Sequence, residues 1–66
     1  MNTRIVDLEV VYQTQTDGAI CFNEDEDGED LWVPLSLAEM EPENPSRGDD
    51  VTITVPEWWA LQEGLI

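Results

Sequence analysis

Histidine and lysine are missing from this 66-residue chain, and cysteine occurs once. Without histidine the chain lacks the commonest general acid–base catalyst and a frequent metal ligand. Arg4 and Arg47 are the only basic side chains against sixteen Asp plus Glu, for a formal net charge of -14. Nucleic acid and anionic membranes would repel such a chain, so neither is expected as a direct partner. A single cysteine permits no internal disulfide, the staple of small secreted domains. Residues 1–10 include Arg4, Asp7 and Glu9 and have no apolar run of signal-peptide length. No stretch approaches the roughly 20 apolar residues of a membrane span. A cytoplasmic protein is the resulting expectation.

Catalysis is not expected either. Paired carboxylates can cleave glycosides only in a cleft that holds the sugar and raises one pKa, and a chain this short offers no obvious cleft. There is no Gly-rich phosphate loop. Cys21 lies between Ile20 and Phe22 with no histidine to activate it, and reads as a buried structural thiol. No cofactor and no catalytic residue are assigned.

What is present is enough to fold. Hydrophobic residues make up 41% of the chain and include three Trp, which rules out a disordered acidic tail. One domain over residues 1–66 is expected, with a marginal core that buries only about 60% of the extended surface. Val6, Leu8, Val10 and Tyr12 alternate with Asp7 and Glu9, the period-two pattern of a half-buried strand. Residues 19–22 form a second strand and residues 31–35 a third, whose end Pro34 restricts to a sheet edge or bulge. A three-residue loop of Thr16, Asp17 and Gly18, with Gly18 left-handed, places Phe22 opposite Tyr12. A two-residue turn at Asp27 and Gly28 places Phe22 opposite Val33 and Ile20 opposite Leu35.

Ser36 to Glu39 has the form of a capping box for one helical turn, which Pro42 and Pro45 prevent from continuing. In the loop that follows, Arg47 is expected to pair with Asp49. Residues 51–55 are the clearest strand. Pro56 suits the first position of a helix, Glu57 its positive end, and Gly64 its C-cap. Trp58, Leu61 and Leu65 share one helical face, which assigns Trp58 to the core and leaves Trp59 beside it as core, edge cover or interface anchor. Trp32, opposite in phase to Leu31 and Val33, is a candidate exposed aromatic. The expected fold is α+β and mostly β: an antiparallel meander of about four strands with a short C-terminal helix packed on it.

The densest chemical feature is Glu24, Asp25, Glu26, Asp27, Glu29 and Asp30, six carboxylates in seven residues. Asn23, Asp25, Asp27 and Gly28 match the opening of an EF-hand loop, but its twelfth position is Pro34 where a bidentate Glu is required. Calcium is therefore the weaker reading, and no metal ligand is assigned. The two-residue turn would set Glu26 opposite Glu29 and Asp25 opposite Asp30, and like charges so opposed cost up to about 1 kcal/mol each. Such a cost invites a functional reason, although a solvated turn is the plainer account of a charge run. Asp49 and Asp50 extend the cluster, as do Glu39, Glu41, Glu43, Asp7 and Glu9. Alternate residues of a strand lie about 6.6 Å apart, a spacing that lets rows of carboxylates approximate a row of DNA phosphates.

Two resemblances accompany this reading. Leu31-Trp32-Val33-Pro34-Leu35-Ser36, then Gly48-Asp49-Asp50-Val51 through Pro56-Glu57-Trp58-Trp59-Ala60 and the closing Gly64-Leu65-Ile66, resemble small phage and prophage proteins of unassigned role. That likeness covers about half of the chain and implies phage origin. The chain departs from it in its more acidic central turn. In size, charge and context it is also similar to anti-CRISPR proteins of the DNA-mimic type. That similarity implies a partner among CRISPR effector complexes but matches no motif and carries no functional residues over. From the charge pattern, the expected contacts on a basic groove, a type I surveillance complex foremost, are Glu24, Asp25, Glu26, Asp27, Glu29, Asp30, Asp49 and Asp50, in a monomer or homodimer acting in the host cytoplasm. The alternative is a phage accessory or structural module that binds through an apolar surface around Trp32 and Trp59.

Overall fold

The computed structural model describes residues 4–25 and 28–66. The chain forms five strands, β1 (Ile5–Gln15), β2 (Ala19–Asn23), β3 (Leu31–Pro34), β4 (Glu39–Glu41) and β5 (Asp50–Pro56), followed by one helix, α1 (Glu57–Gln62). All neighbours pair antiparallel in the order β3-β2-β1-β5-β4. This is the expected small, mostly β fold with a C-terminal helix, with one strand more than expected. The fifth strand is β4. Its three residues lay in a segment with no sustained alternation, so the sequence pattern did not separate it from loop.

Even-numbered residues of β1 as far as Tyr12 and odd-numbered residues of β5 face inward. Val10, Tyr12, Val51, Ile53 and Val55 are buried there with Ile20, Phe22 and Val33, and Val6, Leu8 and Met40 pack against them. Trp59 and Ala60 close this face from α1, with the Trp59 ring tilted 55° against Phe22 at a centroid distance of 6.4 Å.

β3 and β4 lie on opposite edges of the sheet, yet Pro34 and Glu39 are five residues apart. An extended chain of that length covers at most about 18 Å. Four flat inter-strand gaps need about 19 Å, and the 3₁₀ turn Leu35–Leu37 advances only about 2 Å per residue. The sheet must therefore curl around its inner face and bring its edges together. The expected capping box is not formed: this turn has no side-chain cap, and its N-cap is Pro34, two residues before Ser36.

The register of β1 and β2 bears out Tyr12 opposite Phe22, but the route differs. Next to the turn Gln15 faces Ile20, and the extra residue is absorbed by a bulge at Gln13. Gly18 is not left-handed. The Thr16 hydroxyl organises the loop instead, accepting from the Gly18 and Ala19 N–H groups at 3.3 and 3.2 Å. Between β2 and β3 the partners are Ile20 with Val33 and Phe22 with Leu31. This register is two residues from the expected one: Ile20, Phe22 and Val33 still face the core, but Leu35, expected opposite Ile20, falls in the following 3₁₀ turn and is exposed, and the strands stop at Asn23 and restart at Leu31. Asp25 and Asp30 are consequently not ladder partners, and the expected cost of opposing them does not arise. The proposed opposition of Glu26 with Glu29, like Asp27 of the turn, lies outside the described residues.

Pro34 ends the edge strand β3, as expected. The end of α1 also matches the sequence. Gly64 is left-handed at φ 76°, its N–H donates to Leu61 O, and the Leu65 N–H donates to Ala60 O at 2.9 Å. That pair of bonds is the Schellman arrangement. At the other end, the Glu57 N–H donates to Arg4 O at 2.8 Å, which ties the helix start to the beginning of β1.

Candidate functional site: an acidic sheet face

The outer face of the sheet is built by the same alternation that buries the inner one. Asp7 pairs with Thr54 and Thr54 with Glu39; Glu9 pairs with Thr52 and Thr52 with Glu41. Two ladder rows result, each holding a carboxylate on both sides of a threonine. Carboxylates within a column are about 7 Å apart, and the two columns are about 10 Å apart across β5. The Thr54 hydroxyl donates to Asp7 Oδ1 at 2.5 Å. One row further, Val11 lies between Asp50 and Asn23.

Glu9, Glu24, Glu41 and Asp50 line a shallow depression of about 460 Å³ together with Thr52 and Val11. Four separate segments supply these carboxylates: β1, the acidic turn, β4 and β5. Among the described residues no group of three acidic or thiol side chains could hold a metal ion. The Asn23 side chain, the first position of the EF-hand match, is buried and donates to Asp30 Oδ1 at 2.8 Å.

The eight residues singled out in the sequence fall into different environments. Glu24, Asp25, Glu29, Asp30, Asp49 and Asp50 are exposed; Glu26 and Asp27 lie outside the described residues. Asp30 anchors its turn to the sheet through Asn23. Asp49 holds its own loop, accepting from the Ser46 N–H at 2.8 Å, while its carbonyl accepts the Tyr12 N–H. Glu24 and Asp50 join the depression. Asp7, Glu9, Glu39 and Glu41 were noted in the sequence only as extensions of the acidic pattern, and the pairing of β4 with β5 makes them one surface.

Neither arginine neutralises this face. Arg47 does not pair with Asp49; its Nε donates to Gln13 Oε1 at 3.2 Å, beside the bulge. Arg4 precedes β1, and neither arginine forms an ion pair with Asp7, Glu9, Glu39 or Glu41. Cys21, 2% exposed, lies on the outer side of β2, opposite Thr14. Burial raises its thiol pKa, the Asp30 charge adds to the rise, and Arg47 offsets part of it.

The expected place of Trp58 in the core is overturned, and Trp59 takes it. Trp59 is 5% exposed and in the core, whereas Trp58 is 52% exposed. The run from β5 into α1 sets the helix phase so that Trp59 and Ala60 face inward. Trp58 and Leu61 share a face as expected, but that face is in solvent. Trp32 is 48% exposed, in line with its phase in β3.

No helix among the described residues is long and apolar enough to cross a membrane. Comparison with known proteins yields no match: no family model, curated protein or solved structure shows significant similarity to the chain.

Proposed function

We propose that the chain is an acidic inhibitor that mimics DNA and occupies the basic DNA-binding surface of a nucleic-acid-binding protein. The observation that supports this reading is the outer face: two columns of carboxylates across β5 with no arginine paired to them. Their separation of about 10 Å lies between the widths of the minor and major grooves of B-DNA, about 6 and 12 Å. A duplex presents one charge per about 1.7 Å of axis, and a basic groove built for that field would attract this face and steer its approach. Arg and Lys side chains released from phosphates would find carboxylates of matching hydrogen-bonding chemistry.

The target we favour is a type I CRISPR surveillance complex in the cytoplasm of a host bacterium, on the likeness in size and charge described above. The mechanism is competition without catalysis or cofactor. The test mixes the protein with such a complex and a labelled target duplex. Loss of duplex binding as the protein is added is the expected result. Unchanged duplex binding at saturating protein overturns the reading.

A further inference from the structure

Trp58 and Leu61 stand in solvent on the side of α1 opposite Trp59 and Ala60. At about 100° per residue they are about 60° apart, with Glu57 and Gln62 on either flank. Leaving a tryptophan and a leucine half in water forgoes burial that a small domain could use. Among the described residues no element covers them. Ile5, also exposed, lies on the outer sheet face one row beyond Asp7 and pairs with Pro56, immediately before the helix. The acidic face therefore runs at one end into an apolar one.

Charge decides what this end fits. A second copy would bring another -14 chain against it, with Glu57 facing its own counterpart and no lysine in either chain to compensate. We infer that the Trp58–Leu61 ridge is an anchor for a protein surface that carries an apolar pocket rimmed by lysine and arginine. The aromatic fills the pocket, and the neighbouring carboxylates meet the rim. This inference shares with the proposed function only the basic character of the partner, and it requires no displacement of DNA.

The test uses the ¹⁵N-labelled full chain, whose three indole N–H signals report Trp32, Trp58 and Trp59 separately. The probes are two helical peptides of equal positive charge, one of leucine and lysine, the other of serine and lysine. The leucine peptide is expected to bind at least about tenfold more tightly and to shift the Trp58 indole while leaving Trp59 in place. The double substitution Trp58→Ala, Leu61→Ser should bring its affinity down to that of the serine peptide, with unchanged far-ultraviolet circular dichroism. Equal affinities for the two peptides, or an unmoved Trp58 indole, overturn the inference. So does a Trp58 shift on simple concentration of the protein with a rise in sedimentation coefficient, which would assign the ridge to a second copy. Failure of the DNA-mimic reading is detected separately, by duplex competition.

Discussion

Thr54 donates its hydroxyl to Asp7 across the β1–β5 ladder at 2.5 Å. Among the described residues the bond is the only side-chain hydrogen bond made by any of the four carboxylates in the two rows. A hydroxyl can satisfy one oxygen but cannot cancel the charge, so Asp7, Glu9, Glu39 and Glu41 repel one another through solvent. The combined substitution to Asn and Gln at these four positions is expected to raise the melting temperature by a few degrees at low ionic strength. The gain should shrink as salt screens the charges of the unmodified chain. A thermal melt series in increasing sodium chloride checks both statements.

The two adjacent tryptophans should respond very differently to truncation. Trp59→Ala removes the partner of Phe22 and should cost about 3–5 kcal/mol. A domain of this size holds roughly 3–10 kcal/mol in total, so the variant should be largely unfolded. Trp58→Ala removes a half-exposed side chain and should change stability by no more than about 1 kcal/mol. Urea titrations followed by circular dichroism separate the two.

Cys21 gives the chain a pH dependence at the alkaline end. Its folded-state pKa is raised, chiefly by burial and then by Asp30. Below the unfolded thiol pKa of about 8.5 the neutral thiol is bound in both states and its contribution to stability is fully present. Above that pH the unfolded chain loses its proton first, so stability is lost as pH rises toward the folded pKa. The Cys21→Ala variant should lack this part of the alkaline decline. At neutral pH the native thiol should react with a disulfide reagent only as fast as the protein opens.

Gly64 is held at φ 76° by the two hydrogen bonds that end α1. A Cβ there would meet no neighbour, so the cost of Gly64→Ala is one of backbone conformation alone. About 1 kcal/mol of destabilisation is expected, measured by denaturant unfolding.

Much of this structure is legible in the sequence, and the parts that are not share physical reasons. The strands β1 and β5 follow from alternation, and the pairing of Tyr12 with Phe22 follows from matching faces. The β2–β3 register does not, because side chains repeat every two residues. A shift of two leaves Ile20, Phe22 and Val33 facing the same way, so faces cannot choose between a tight turn and a longer acidic loop. Trp58, Leu61 and Leu65 do form a stripe, but α1 has only six residues. In so short a helix the buried face is chosen by how β5 delivers the chain, not by the longest apolar pattern. The site was half visible. Glu24 and Asp50 were recognisable from local charge density, whereas Glu9 and Glu41 join them only because β4 pairs with β5, a contact that one apolar residue, Met40, could not announce.

The most direct test of the DNA-mimic account is a competition measurement on the four carboxylates of the depression. Inhibition of duplex binding by a type I surveillance complex is compared for the unmodified chain and for one carrying Glu9→Gln, Glu24→Gln, Glu41→Gln and Asp50→Asn, at low and at elevated salt. The account predicts that the unmodified chain inhibits, that salt weakens its inhibition, and that the neutralised chain loses at least about tenfold in potency while remaining folded. Equal potency of the two chains, or inhibition indifferent to salt, would contradict it.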